Sequence, residues 1–323
     1  MTTDVDEEGV DSGYLLFSID TELAWGYHNN FSRTMFPGNG EQERATINRI
    51  LDMLDEFNII ATWALVGHLF YYKCEKCDVC PVLNWKGKYN SFEEIYDTDS
   101  QWWYGADVFD TIVKRGHNHE IAFHGYTHQV FDETRMTRQD ARIEIQEWIR
   151  AAKVKNIVPK TVIFPQNQIG YLDLFEEHGF LCYRGDELLP KYYYSLPIIG
   201  KILNRFDLIL QIRDPEIYPI NQEPGGLINL PASRSLFRMK RKVDSLLHWL
   251  DLDNIHIKKN IEGIQKAARD KKIIHLYTHP YEFQSENDFE KLHQVLLKAS
   301  QEIKKGNLRS ISMIDLAQTA SRH

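Results

Sequence analysis

Two histidines four residues apart, His124 and His128 in the segment AFHGYTHQVF, can bind a metal together. Imidazole is a common metal ligand, and on a helical turn a four-residue interval puts both rings on one face, as in His-x-x-x-His zinc sites. The spacing alone is weak evidence, because most histidines are structural or exposed. A pair of acids strengthens it. Asp20 and Glu22 in SIDTEL lie two residues apart, so along an extended segment they project the same way. Two like charges held at a strand end repel unless a cation or a shared proton neutralises them. The ordinary alternative, a helix cap or a salt-bridged loop acid, suits one acid better than two.

These residues follow apolar runs that read as buried strands. YLLFSID (14–20) is one, and Ile47, Ile50, Leu51, Leu54 and Phe57 then recur at helical spacing over 41–57, with Asn58 as a stop. IIATWALVG (59–67) is a second strand, ADVFDTIVKRG a helix closed by Gly116, and HEIAFH (119–124) a third strand. Thr137 caps a helix running to about Lys153 ahead of TVIFP (161–165), a short helix (171–178) and FLCYRG. After a less regular stretch over 186–225 come GLINLPA, a helical region over 238–270, the strand IIHLYTHP, a helix over 286–304 and LRSISMID as a last strand. Seven or eight strands alternating with helices predict a parallel α/β fold, and the absence of Gly-x-Gly-x-x-Gly after the first strand favours a (β/α) barrel over a dinucleotide-binding sheet. Asp20 and Glu22, His124, Gln166 and Asn167, Arg184 and His279 then all fall at carboxyl ends of strands, the face where barrel enzymes carry active sites. His119 begins the strand that His124 ends. At ~3.3 Å per residue the two lie roughly 16 Å apart, so His117 and His119 belong to the opposite rim.

Composition excludes other classes. The 323 residues carry 38 Lys+Arg against 46 Asp+Glu, net −8, with no basic block longer than Lys240-Arg241-Lys242, so nucleic acid is not a partner. At 43% hydrophobic and 12% aromatic the chain has the material for a core. The start MTTDVDEEGVDSG lacks a basic and then an apolar region, and the most apolar stretch (58–72) falls short of the ~20 residues a membrane span needs. The expectation is a cytoplasmic protein with no integral membrane span, a flexible segment over 1–13, and one domain over 14–323 with insertions near 70–104 and 186–225. Cys74, Cys77 and Cys80 lie in the first insertion. A structural zinc site short of its fourth ligand and a set of surface thiols are equally good readings of them. Cys182, in an apolar stretch, reads as a buried free thiol.

FSIDTE, EIAFHGYTH, FPQNQIGYLDLFEEHGFLCYRG and HLYTHP, in that order, resemble the successive motifs of the polysaccharide deacetylase family, the NodB-homology or carbohydrate esterase family 4 enzymes. The likeness covers most of 14–315. It implies a distorted (β/α) barrel and a metal-dependent deacetylase. It assigns Asp20 as general base, Glu22, His124 and His128 as metal ligands, and His279 of the Leu-x-x-His motif as general acid. Two departures stand out. The first motif is Asp-x-Glu rather than Asp-Asp, and the family's base-orienting arginine falls at Gln166, leaving Arg184 as a replacement.

The chemistry agrees with the residue types. Two histidines and a carboxylate with an open position suit Zn2+, which lowers the pKa of bound water to about 7 and polarises an amide carbonyl. Water is then the nucleophile, and its proton passes to Asp20. Backbone N–H groups beside Tyr126 and Thr127 are candidate oxyanion donors. Trp25 and Tyr126, with Tyr27, Trp102 and Trp103, are candidate sugar-stacking aromatics, core packing being the competing reading, and Gln166, Asn167 and Arg184 are candidate polar contacts to substrate. The expected substrate is an N-acetylated sugar or oligosaccharide intermediate. Two other readings remain: a metal-independent hydrolase of another amide or a cyclic imide, and a carbohydrate-binding protein without activity.

Overall fold

The computed structural model describes residues 12–27, 40–72, 100–115, 118–189, 213–219, 226–237 and 254–320. Strands and helices alternate as β1 (Gly13–Thr21), α1 (Glu41–Phe57), β2 (Thr62–Leu65), α2 (Ser100–Trp103), α3 (Ala106–Lys114), β3 (Glu120–Phe123), α4 (Arg138–Val154), β4 (Thr161–Val162), α5 (Leu172–Glu177), β5 (Cys182–Tyr183), β6 (Ile228–Asn229), β7 (Arg234–Ser235), α6 (Ile255–Asp270), β8 (Ile273–Thr278), α7 (Glu286–Lys304), β9 (Leu308–Ser310) and α8 (Met313–Ala320). The strands pair in parallel in the order β6-β5-β4-β3-β2-β1-β8-β7, with β9 also on β1.

The sheet closes on itself through residues 226–237. The amides of Ile228, Leu230 and Ala232 donate to Leu181, Tyr183 and Gly185 on the β5 side, and those of Ser233 and Leu236 then donate to His275 and Tyr277 on β8. Pro231, with no N–H to give, sits between the halves. β6 and β7 are thus two parts of one crossing segment, and the result is an α/β barrel. Its distortion is visible at β1, whose upper part (Ser18–Thr21) pairs with β2 while its lower part (Gly13–Leu15) pairs with β9.

Alternation along each strand divides the core into two layers. Leu15, Phe17 and Ile19 of β1 face outward and join the large cluster under the helices, with Ile47, Ile50, Leu51, Leu54 and Phe57 of α1. Tyr14 and Leu16 face inward and join Ala64, Ala122, Ile163, Cys182, Leu230 and Ile273, plugged from below by Met313, Leu316 and Ala317 of α8. The inner columns change character as they rise. β1 reads Tyr14, Leu16, Ser18, Asp20; β5 reads Cys182, Arg184; β8 reads Ile273, His275, Tyr277, His279. Apolar residues fill the lower barrel, and the polar ones gather at the carboxyl end.

The helix over 41–57 and that over 286–304 have the expected bounds, Asn58 ends the first with φ 53°, and the Thr137 side chain accepts the Asp140 N–H as an N-cap. The last strand differs from expectation. β9 stops at Ser310, and Met313 begins a helix, because Met313, Leu316, Ala317 and Ala320 recur at helical spacing and bury one face. Cys182 is buried, and burial pushes its thiol up. Cys74, Cys77 and Cys80, the 1–11 segment, His117, and most of the 70–104 and 186–225 insertions lie outside the described residues. Among the described residues no helix is long and apolar enough to cross a membrane.

Candidate active site

β1 delivers two acids to the mouth of the barrel. Asp20 is the last inward residue of the strand and Glu22 follows its end; both are buried, at 3% and 5% exposure. Gly26 makes room for Glu22, since a Cβ there would run into the Glu22 carboxyl oxygen at 1.8 Å.

Glu22 faces the two histidines. Its Oε1 lies 3.1 Å from His124 Nε2 and 3.0 Å from His128 Nε2. His124 Nδ1 is 2.8 Å from the carbonyl of Ile163, which can only accept, so Nδ1 carries a proton and Nε2 is the atom turned to Glu22. That is the orientation a metal-ligating histidine adopts. Burial alone would raise the Glu22 carboxyl, but His128 and His124 hold it well below the usual carboxylate range. Glu22, His124 and His128 can each offer a ligand atom with all three within 4.8 Å of one another. A tetrahedral ion with bonds of about 2.1 Å needs ligand atoms about 3.4 Å apart, so the donor set and spacing fit a zinc-like cation.

The two rings come together by a different route from the one the spacing suggested. No helical turn follows β3. The chain bends instead, with Gly125 at φ 75° and His128 at φ 57°, and the imidazole centroids end 5.0 Å apart.

Asp20 faces a cation already in place. Arg184, at the end of β5, donates from Nη1 to Oδ1 at 2.7 Å and from Nη2 to Oδ2 at 2.6 Å. The same guanidinium donates to Ser18 Oγ at 3.1 Å and Asn167 Oδ1 at 2.8 Å, and it stacks 4.6 Å from the Tyr277 ring centre. Ser18 in turn lies 2.9 Å from Nε2 of His275, whose pKa burial and Arg184 push down to about 3, so the serine donates to a neutral ring. Burial would raise the Asp20 acid, yet Arg184, then His124 and His279, hold it at about 2. The carboxylate is ionised and fixed. Burial would lower His279, but Glu282 and Asp20 lift it to about 9; its Nε2 is 3.5 Å from Asp20 Oδ2 and 3.9 Å from Glu22 Oε1.

Arg184 therefore does not extend to a ligand. It is 1% exposed, with both terminal nitrogens engaged by Asp20, Ser18 and Asn167. Gln166 is exposed, at φ 53°, and Asn167 is half-buried beside the arginine. The stacking aromatics move inward. Trp25 has no exposed surface, donates to the Trp103 carbonyl at 2.8 Å and packs on His68, and Tyr126, 4% exposed, packs on the same His68. Neither ring has a free face for a sugar, and Trp102 and Trp103 are likewise buried. The Tyr27 side chain lies outside the described residues. The amides of Tyr126 and Thr127, expected as oxyanion donors, both donate instead to Glu144 Oε2 at 2.7 and 2.9 Å, so neither is available to a substrate oxyanion. His119 sits at the opposite rim, where its Nδ1 accepts the Ala61 N–H at 3.1 Å.

The sequence reading missed Glu144 and His68. Glu144 had a signal. It lies on the α4 stripe with Ala141, Ile145, Trp148 and Ala152, where a charged residue needs a buried partner. His68 interrupts an apolar run in the same way.

No known family pattern matches the sequence, and no curated protein matches it. Solved structures do. A protein described as a polysaccharide deacetylase from Mycobacterium smegmatis is 14% identical, with a TM-score of 0.60 over 99% of this chain and 94% of its own. Puue allantoinase, 14% identical, has a TM-score of 0.54 over 96% of this chain and 91% of its own. A GH57-type branching enzyme from Pyrococcus horikoshii, 10% identical, has 0.55 over 95% of this chain and 70% of its own. The chain has the fold of the polysaccharide deacetylases, and the three similar structures carry different activities on it.

Proposed function

We propose that the protein is a metal-dependent hydrolase that removes an acetyl group from an N-acetylated sugar or oligosaccharide. The observation that carries this reading is the pairing of two acids at one barrel mouth with different partners, Glu22 with His124 and His128, and Asp20 with Arg184. Glu22, His124 and His128 would hold the cation. Zinc or a similar ion, when bound, polarises an amide carbonyl and acidifies water.

The chain's own groups do the rest. Asp20 takes the proton from the attacking water. With its carboxyl held at about 2, it is fully ionised at neutral pH, so availability is complete at the expense of basicity. Arg184 fixes the direction of that carboxylate with two parallel bonds, the geometry a guanidinium supports and an ammonium does not. His279, lifted to about 9, is protonated near neutrality and donates to the departing amine. Arg184, at the end of β5, takes on this reading the place of the arginine absent at Gln166, and its bonds to Asp20 support an active enzyme over an inactive carbohydrate binder.

The test is metal content together with acetate release from N-acetylated chitooligosaccharides and their monomer, before and after chelation. Stoichiometric metal and chelator-sensitive acetate release are expected. Acetate release unchanged by complete metal removal would overturn the metal-dependent reading, and metallated protein inert on every N-acetylated sugar would overturn the substrate class.

A further inference from the structure

Resting on the reading of Glu22, His124 and His128 as a metal centre, we infer that Glu144 is a positioning residue for that centre, fixing the spacing of the two histidines without touching the ion. His124 and His128 are joined by Gly125, Tyr126 and Thr127, and the polar backbone of this link is held from two sides. On one side the successive N–H groups of Tyr126 and Thr127 converge on one carboxyl oxygen of Glu144, at 2.7 and 2.9 Å, and the Thr127 hydroxyl donates to the other. On the other side Gly67 N–H donates to Gly125 O at 2.9 Å, and His68 lies with Nδ1 2.8 Å from Tyr126 O. Gly67 has to be glycine for that approach, since a Cβ would meet the Tyr126 ring at 2.6 Å.

Two consecutive N–H groups aimed at one point form a concavity that binds anions. Here the protein fills it with its own carboxylate, and Glu144 has no exposed surface. The link needs such a hold. His128 adopts φ 57°, a left-handed conformation that a non-glycine residue keeps only when its surroundings impose it. Released from Glu144, the link relaxes toward ordinary backbone angles and carries the His128 ring away from Glu22. Burial pushes the Glu144 carboxyl up to about 7, with the Thr127 and Tyr126 bonds opposing it. Three donors on two oxygens leave an amide a poor substitute, because a Gln side chain accepts at one atom only.

A purely structural role for Glu144 is separable from this one, because the barrel contains a matched acid at its other end. Glu120 accepts from Thr62 and Thr161 and from the Ile314 N–H, and burial pushes it, too, up to about 7. The experiment compares Glu144→Gln, Glu144→Ala and Glu120→Gln with wild type in zinc affinity, by competition with a chromophoric chelator, and in thermal unfolding of the metal-free protein. Glu144→Gln should bind zinc ~10–100-fold more weakly, the range for groups that orient a ligand from behind, and Glu144→Ala more weakly still. Glu120→Gln should keep wild-type affinity whatever it does to unfolding. Folded Glu144 variants with wild-type zinc affinity would overturn the inference while leaving the metal centre intact. Equal loss in Glu120→Gln, or failure of both Glu144 variants to fold, would place Glu144 in general stability and overturn it as well. Wild-type protein that binds no zinc or other divalent ion would overturn the metal reading first and this inference with it.

Discussion

The two ends of the barrel interior use the same residue types to opposite effect. At the base, Glu120 is surrounded by neutral donors from adjoining strands and the start of α8, Thr62, Thr161 and the Ile314 amide, and Thr161 also touches Cys182. At the mouth, Asp20 and Glu22 face an arginine and three histidines. An acid saturated by hydroxyls has its bonds made and nothing left to exchange. Acids set against cationic or protonatable groups keep charge available for a ligand or a proton. The difference between scaffold and site is thus chiefly one of partners, the side chains being of one type at both ends, although Glu120 is half-buried where Asp20 and Glu22 are buried.

The largest effect should come from Asp20→Asn. Turnover should fall ~10²–10⁴-fold, the range for a lost general base. The fully buried Arg184 also loses its counter-charge, a change that costs about 3–5 kcal/mol when a buried pair is broken. Turnover and urea unfolding of the same preparation check both. Wild-type turnover would make the mouth acid no more reactive than the base one. Next in size is Glu22→Gln, which should weaken cation binding by more than the ~10–100-fold lost with an outer partner, while unfolding of the metal-free protein changes less than in Asp20→Asn. Metal titration against denaturant midpoints decides it, and unaltered affinity would remove Glu22 from the ligand set.

Glu120→Gln sharpens the contrast through pH. Burial lifts the Glu120 acid from 4.5 to about 7, against the opposing bonds from Thr161, Thr62 and Ile314. Between these values the folded chain holds a proton that the unfolded chain releases. The resulting stability is fully present below the unfolded value and is lost as pH rises through the folded one. Gln, uncharged at every pH, lacks this titration, so its stability relative to wild type should improve by about 1–3 kcal/mol between pH 5 and 8, measured as urea midpoints. A constant difference across that range would mean that Glu120 is ionised throughout and that the base resembles the mouth. The smallest effect is expected for His119→Ala, which removes the acceptor of the Ala61 N–H and should cost about 1 kcal/mol with metal and turnover unchanged. Loss of metal there would contradict the division of β3 into a structural end and a reactive one.

How much of this was legible in the sequence depends on the range of the interaction concerned. α1 and α7 have the bounds their periodicity predicts, because amphipathic helices of 17 and 19 residues repeat their signal many times. β4 has only two residues, and β9 gives way to α8, because alternation over a few residues cannot be told from the first turn of a helix. Strand ends located Asp20, Glu22, His124 and His279 at one mouth. The pairing of Arg184 with Asp20 joins β5 to β1, a contact that no local pattern carries and that only the family resemblance pointed to. Trp25 and Tyr126 show the opposite failure. Their positions near the mouth are as expected, but His68, packed against both rings, turns them into core.

The closure of the barrel has a kinetic corollary. β1 can pair with β2 soon after both are made, but its other flank waits for β8, where Tyr14 meets Ile273 from near the opposite end of the chain. The crossing segment 226–237 needs β5 and β8 in place together. Contacts of such sequence separation make folding slow, since the loop entropy is lost before the contacts form. During synthesis Asp20 emerges early, gains Arg184 midway and His279 only near the end. A truncated or stalled chain therefore exposes the apolar edge of β1 and lacks the full set of mouth residues, so on the proposed function activity reports directly on completed closure.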